Sequence, residues 1–346
     1  VDGENYNFGV RAVSKQDFLA STPPPGAGGV AGATVTASTT FSPLTGPVVV
    51  TGAGAGGLPV VQAFDGAGNQ QVMLFAYAAT FTGGVNVALG DVNGDGYEDV
   101  ITAPASAGGP HVKVFSGLTG ALLGEFMAYA PTFGGGVRVA AADVNGDGKA
   151  DIITGAGPGG GPHVKVFSGA GFGELASFMA YNSGFAGGVT VAAGDFTGDG
   201  KADIVTGAGA GGGPHVKVFD GQTLNVVRSY YAYAADFTGG VSVAVGDFDG
   251  NGAADIITGA GPGGGPQVKV FKGADPSNLL ASFYAYDSSF LGGVRVAAAD
   301  FTGDGRAEII TGPGSGGVAQ VRLFGGLGTQ FLASDPADLN GLFVAG

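Results

Sequence analysis

Carboxylate and amide side chains recur at alternate positions in Asp143-Val144-Asn145-Gly146-Asp147-Gly148-Lys149-Ala150-Asp151, with oxygens at positions one, three, five and nine and a glycine beside the third ligand. This pattern suits a hard cation. Ca²⁺ takes six to eight oxygens at roughly 2.3–2.6 Å, and a short hairpin loop with acids at alternate positions supplies most of them. The pattern occurs five times. The expected ligand sets are Asp91, Asn93, Asp95 and Asp99 with the Tyr97 carbonyl, then Asp143, Asn145, Asp147 and Asp151 with that of Lys149. They continue as Asp195, Thr197, Asp199 and Asp203 with Lys201, Asp247, Asp249, Asn251 and Asp255 with Ala253, and Asp300, Thr302, Asp304 and Glu308 with Arg306. Thr197 and Thr302 give a weaker oxygen at position three, and Asn251 lowers the charge at position five. An ion here is expected to be structural, relieving repulsion among the loop carboxylates while fixing the turn.

The first aspartates stand 52, 52, 52 and 53 residues apart, so the chain is an internal repeat. A period near 50 points to a solenoid or propeller. The 72 glycines of the 346 residues sit at fixed offsets within the repeats, and 45% of the chain is hydrophobic, which favours an ordered, glycine-punctuated β-protein over a disordered one. The net charge of −14 is mostly a property of the loops, because 15 of the 28 acidic residues are at the expected metal positions. Five Ca²⁺ would bring it to about −4. No basic stripe suggests a nucleic-acid partner. There is no cysteine, hence no disulfide and no thiol chemistry. The chain opens at Val1 and reads as a mature or trimmed product, with neither a signal peptide nor an apolar run long enough to span a bilayer.

These loops must be held by strands. Each repeat opens on Gly-Gly-Val-x-Val-Ala, as at Gly135–Ala140, which enters the acidic loop, and a second strand leaves it as Ala-Asp-Ile-Ile-Thr. A Gly/Pro-rich turn leads to a third strand, His163-Val164-Lys165-Val166-Phe167, and a fourth, Leu175–Tyr181, ends in an aromatic turn. Four short antiparallel strands per repeat make a propeller blade. Repeats two to six begin near Gly83, Gly135, Gly187, Gly239 and Gly292. Residues 32–82 read as a worn first repeat whose Thr40–Val48 loop has no carboxylate and is expected to hold no ion. Asn340–Gly346 matches the opening strand of a seventh repeat, and residues 1–31 read as closing strands and a linker. The expectation is an all-β, seven-bladed β-propeller of four-stranded antiparallel blades, one domain over residues 1–346, its composite last blade closed by both termini. The alternative is a six-bladed ring with loose termini, and a neighbouring chain or missing segment is a further way to complete the last blade.

Phe133-Gly134 before the first strand, Gly155-Ala156-Gly157-Pro158 after the second, and Asp-x-Asn-x-Asp-Gly-x-x-Asp between them resemble the FG-GAP repeat of integrin α-subunit propellers and related bacterial surface proteins. The resemblance covers roughly residues 32–338, although elsewhere the Phe-Gly pair reads Phe81-Thr82, Phe185-Ala186, Phe237-Thr238 and Phe290-Leu291. It implies a seven-bladed propeller with calcium loops joining first and second strands on one face and ligands meeting the other.

His111, His163 and His215 each follow Gly-Pro and precede Val-Lys-Val-Phe, with Gln267 and Gln320 at the same place later, which suggests a polar strand start more than a shared metal. Equivalent third-strand atoms of adjacent blades should be about 10 Å or more apart, given a strand spacing of about 4.8 Å, too far for one zinc. The turns such as Gly157–Pro162 read as positive-φ turns, with an anion cradle of backbone amides as the lesser alternative. Phe81, Phe133, Phe185, Phe237 and Phe290 are expected to pack between blades, while Tyr77, Tyr129, Tyr181, Tyr233 and Tyr286 are candidates to line sugar-binding grooves.

No nucleophile, acid or base is confined to one repeat, so no enzyme is expected. The sequence suggests an extracellular or cell-surface, calcium-stabilised, integrin-like module for protein binding, adhesion or structure. A carbohydrate-binding propeller is the alternative. Millimolar extracellular calcium suits weak loops, and no membrane insertion is expected.

Overall fold

The computed structural model describes residues 42–346. Valine, isoleucine and small residues alternate between glycine-rich turns, and among the described residues they form 24 strands and no helix. The first blade holds β1 (Val49–Ala53), β2 (Val60–Phe64) and β3 (Gln70–Phe75). The second holds β4 (Val85–Gly90), β5 (Asp99–Pro104), β6 (His111–Phe115) and β7 (Leu122–Met127), and the third β8 (Val137–Ala142), β9 (Asp151–Ala156), β10 (His163–Phe167) and β11 (Glu174–Met179). Then come β12 (Val189–Gly194), β13 (Asp203–Ala208), β14 (His215–Phe219) and β15 (Val226–Tyr231), followed by β16 (Val241–Gly246), β17 (Asp255–Ala260), β18 (Gln267–Phe271) and β19 (Leu279–Tyr284). The sixth blade is β20 (Val294–Ala299), β21 (Glu308–Pro313), β22 (Gln320–Phe324) and β23 (Gln330–Leu332), and β24 (Leu342–Ala345) ends the chain.

These strands make six four-stranded sheets, which corrects the seven-bladed expectation. β24 starts no new blade. It pairs antiparallel with β1, Val50 opposite Ala345 and Gly52 opposite Phe343, as the innermost strand of the first blade. The worn first repeat and the expected seventh are therefore one blade. β24 touches β4 on one side and β20 and β21 on the other, so the ring is continuous. Pairing the last strand with the first covers an edge of β1 that would otherwise carry unpaired backbone groups. The C-terminal strand is thus fixed rather than loose. The expectations for residues 1–31 and for the start of the Thr40–Val48 loop lie outside the described residues.

The second strand of each blade is the heart of the core because both of its faces meet a neighbouring blade. On β9, Ile152 packs with Val112, Val114 and Ala128 of the second blade, while Ile153 packs with Val164, Val166 and Val189 toward the fourth. Both are fully buried, and each such burial contributes roughly 2–3 kcal/mol.

The glycine-aromatic turns follow from the same close approach. Gly136 has φ +81°, and a side chain there would collide with the Ala105 carbonyl. A Cβ on Gly135 would meet the Pro158 carbonyl and the Phe133 ring, whereas Gly134 has nothing within 4 Å. The position after the phenylalanine is therefore free to be Thr82, Ala186, Thr238 or Leu291, and the glycine pair that follows is not.

Candidate metal centre

The inner strands run in one sense around the ring, so the five acidic loops lie together at one end. Adjacent loops are bonded: Ala150 N–H donates to Asp91 O, Ala202 N–H to Asp143 O and Ala307 N–H to Asp247 O. Gly90 pairs with Asp99 at the base of the first acidic hairpin, and Gly246 with Asp255 in the fourth.

Within each loop the position-one carboxylate curls the chain. Asp143 Oδ1 accepts the Gly146 N–H at 2.6 Å and Oδ2 the Gly148 N–H at 2.8 Å, and Asp91, Asp195, Asp247 and Asp300 make the same two bonds. The position-five side chains of Asp95, Asp147, Asp199, Asn251 and Asp304 accept the N–H of position seven, from Tyr97, Lys149, Lys201, Ala253 and Arg306 respectively. Both glycines of each loop stand at positive φ, as at Gly146 (+80°) and Gly148 (+81°).

Position nine is buried. Asp99, Asp151, Asp203, Asp255 and Glu308 are at most 2% exposed. Each accepts the N–H of position two, from Val92, Val144, Phe196, Phe248 and Phe301. The four aspartates also accept a glycine N–H from beyond the third strand: Gly117, Gly169, Gly221 and Gly273. This second clamp is not among the sequence expectations, although the recurring Val-Phe-x-Gly carries it. Burial pushes the Asp99 carboxyl up to about 6, against the bonds from Gly117 and Val92 and with the charges of Asp95 and Asp91 adding. Burial likewise raises Asp151, Asp203 and Asp255.

Position three decides which loop gathers its acids. Asn93 and Asn145 turn their Nδ2 toward Asp95 and Asp147, at 2.9 and 3.1 Å, so an amide proton faces the position-five carboxylate. Thr302 donates to Asp300 and, at 3.5 Å, to Glu308. Thr197 is tied to Asp203 through its N–H. Only the fourth loop has a carboxylate at this position, and Asp247, Asp249 and Asp255 bring oxygens within 4.8 Å of one another, the single such group among the described residues. Ligands across a Ca²⁺ ion are about 4.6–5.2 Å apart, twice the bond length, so the spacing fits. Asp249 Oδ2 accepts from Lys272 Nζ at 3.1 Å, while its Oδ1 is buried with no hydrogen-bond partner. An orphaned carboxylate oxygen in an acidic cluster is the mark of a missing positive charge. The donor set, all oxygen and mostly carboxylate, fits a hard divalent cation.

The other repeated side chains are spent within the ring. Tyr129 Oη donates to His163 O at 2.9 Å and lies 3.1 Å from Thr154 O, joining the second blade to the third. Tyr77, Tyr181, Tyr233 and Tyr286 likewise bond the third-strand carbonyl of the next blade at four further junctions, and Ser334 stands at this place between the sixth blade and the first. Burial raises their phenols well above the usual range. Each packs edge-on to the phenylalanine four residues later, as Tyr129 on Phe133 with centroids 5.7 Å apart. His163 and His215 bond Ser177 and Ser229 at 2.8 Å, and His111 pairs with Glu125, so each histidine is held inside its own blade. In the Gly/Pro turns, amides go to neighbouring carbonyls, Gly157 N–H to Gly136 O and Gly159 N–H to Ala186 O.

A family model described as FG-GAP-like repeat matches residues 91–154 and 143–206. The chain carries FG-GAP-like repeats in a β-propeller. No curated protein matches it. Among solved structures it is similar to the Dos1 propeller, at 12% identity and a TM-score of 0.45 over 77% of this chain, and it spans 62% of that chain.

Proposed function

We propose that this propeller is an extracellular, calcium-stabilised module of a surface protein, serving in protein binding, adhesion or structure and without catalysis. The observation that carries it is the Asp247, Asp249 and Asp255 cluster with its orphaned Asp249 Oδ1, on a loop repeated five times at one end of the ring. Calcium there joins the first and second strands of a blade, and the Ala307 N–H bond to Asp247 O passes that restraint to the fifth loop. The four other acidic loops keep the position-one and position-nine carboxylates and bind one ion each, more weakly where threonine stands at position three. The opposite end, formed by the Gly/Pro and aromatic turns, is left to meet a protein ligand. The tyrosine hydroxyls are engaged in the blade seams, which favours a structural part for these rings over a sugar-binding one.

Elemental analysis of the purified protein and thermal unfolding with and without EGTA test this. Close to one calcium per acidic loop and a melting temperature lowered by several degrees on chelation are expected. At a hundredfold excess of free calcium over Kd the linkage is about 2.7 kcal/mol per site. No bound calcium and an unchanged melting curve would remove the reading.

A further inference from the structure

One position of the inner strands escapes the repeat. The variable residue of Val-x-Val-Ala is Asn86, Arg138, Thr190, Ser242 and Arg295 in β4, β8, β12, β16 and β20, and Phe343 stands there in β24. All six line a cavity of about 340 Å³ bordered by the inner strands and by turns at the end away from the acidic loops, Pro158 and Pro262 among them. Structural repetition explains the valines on either side. It does not explain five different residue types at one depth of one cavity.

Two of the six are cations facing the same ring. The guanidinium carbon of Arg295 is 3.8 Å from the Phe343 centroid and that of Arg138 is 5.9 Å from it. Arg295 Nη1 donates to Leu342 O at 2.6 Å and Pro313 O at 3.2 Å, and Arg138 Nη1 to Ala105 O at 3.3 Å. Among the described residues neither forms an ion pair. A guanidinium carries five N–H donors, so most of theirs remain, on two side chains that line the cavity. Burial, with Arg138 nearby, pushes Arg295 down to about 9, which leaves it cationic at neutral pH. Two like charges lining one cavity without a counter-charge repel one another, and an anion between them relieves that repulsion. The neighbouring Ser242 Oγ accepts from Val296 N–H at 3.4 Å, so its own O–H is available to donate.

We propose that the axial cavity is a binding site for a small oxyanion of the sulfate class, held by Arg138 and Arg295. Planar guanidinium forks match paired oxyanion oxygens. The site is separate from the acidic loops in place and in charge, and it does not depend on what they bind. Its entrance is the end of the ring where the Gly/Pro turns lie.

Calorimetric titration of the full chain with sodium sulfate, at an ionic strength held constant with chloride, tests it. The expected result is saturable binding at one sulfate per chain, weakened about tenfold or more by Arg295→Gln and lost in the Arg138→Gln, Arg295→Gln double variant. Absence of a saturable heat in the unmutated protein up to about 10 mM sulfate, weaker than a millimolar site, would overturn it. So would undiminished binding in a variant that melts like the parent. If the double variant does not fold, Arg138→Gln alone, which forfeits a single backbone bond, gives the same reading.

Discussion

At the residue scale, the difference between a polar turn and a metal site rests on position three. Asp249 contributes the one buried carboxylate oxygen in the loops that nothing satisfies. Asp249→Asn keeps the shape and removes the charge, and it should weaken calcium at that loop by about tenfold or more, some 1.4 kcal/mol, in a calorimetric titration. The converse, Asn145→Asp, places a carboxylate where an amide proton now faces Asp147 at 3.1 Å. It should raise affinity at the second loop and lower the stability of the calcium-free protein. Tyr129 shows a different economy, since its hydroxyl reaches His163 O and Thr154 across the seam between blades. Tyr129→Phe should lower stability by about 1–2 kcal/mol in denaturant unfolding, without touching calcium stoichiometry. A glycan-binding role for this ring would instead show as lost sugar affinity with unchanged stability.

At the element scale, the hairpins and their spacing are legible because alternation and turn chemistry are local. Gly-Gly-Val-x-Val-Ala does become an inner strand, as at β8, and the acidic stretch does become the loop that follows it. The clamp from Asp151 to Gly169 is not legible in that way, because it joins residues 18 positions apart across two strands. Its only local trace is a glycine after Val-Phe-x. A side chain at Gly169 would collide with the Ala150 carbonyl, while Gly134, inside the motif that gives the repeat its name, has open space around it. Gly169→Ala should therefore cost about 1–3 kcal/mol and loosen the second loop. Gly134→Ala should stay within about 0.5 kcal/mol of the parent. Thermal unfolding of the two, side by side, would show whether close approach or motif membership sets the tolerance.

At the scale of the whole molecule, the blade number turns on where one short strand docks, and strand patterning is silent about that. Leu342-Phe343-Val344-Ala345 has the alternation of every inner strand, so it reads equally as the start of a new blade or as the missing strand of the first. What decides is the exposed side of β1, with Val50 fully buried once β24 is in place. Val50 and Ala345 are register partners, and both belong to the cluster that includes Val61, Val72 and Val85. The chain has no cysteine, so Val50→Cys with Ala345→Cys creates a single thiol pair. Facing positions on adjacent antiparallel strands are within reach of a disulfide, whereas any arrangement that parts β24 from β1 is not. Oxidation should give an intramolecular cross-link, seen as the loss of two free thiols with no dimer. Closing a loop of almost the whole chain contributes about 5 kcal/mol in the chain-entropy account, before strain. On that basis the melting temperature should rise by roughly 5–10 °C on oxidation and return on reduction. Thiols that stay free in the folded protein would break the six-bladed closure, and with it the wall that Phe343 gives to the axial cavity.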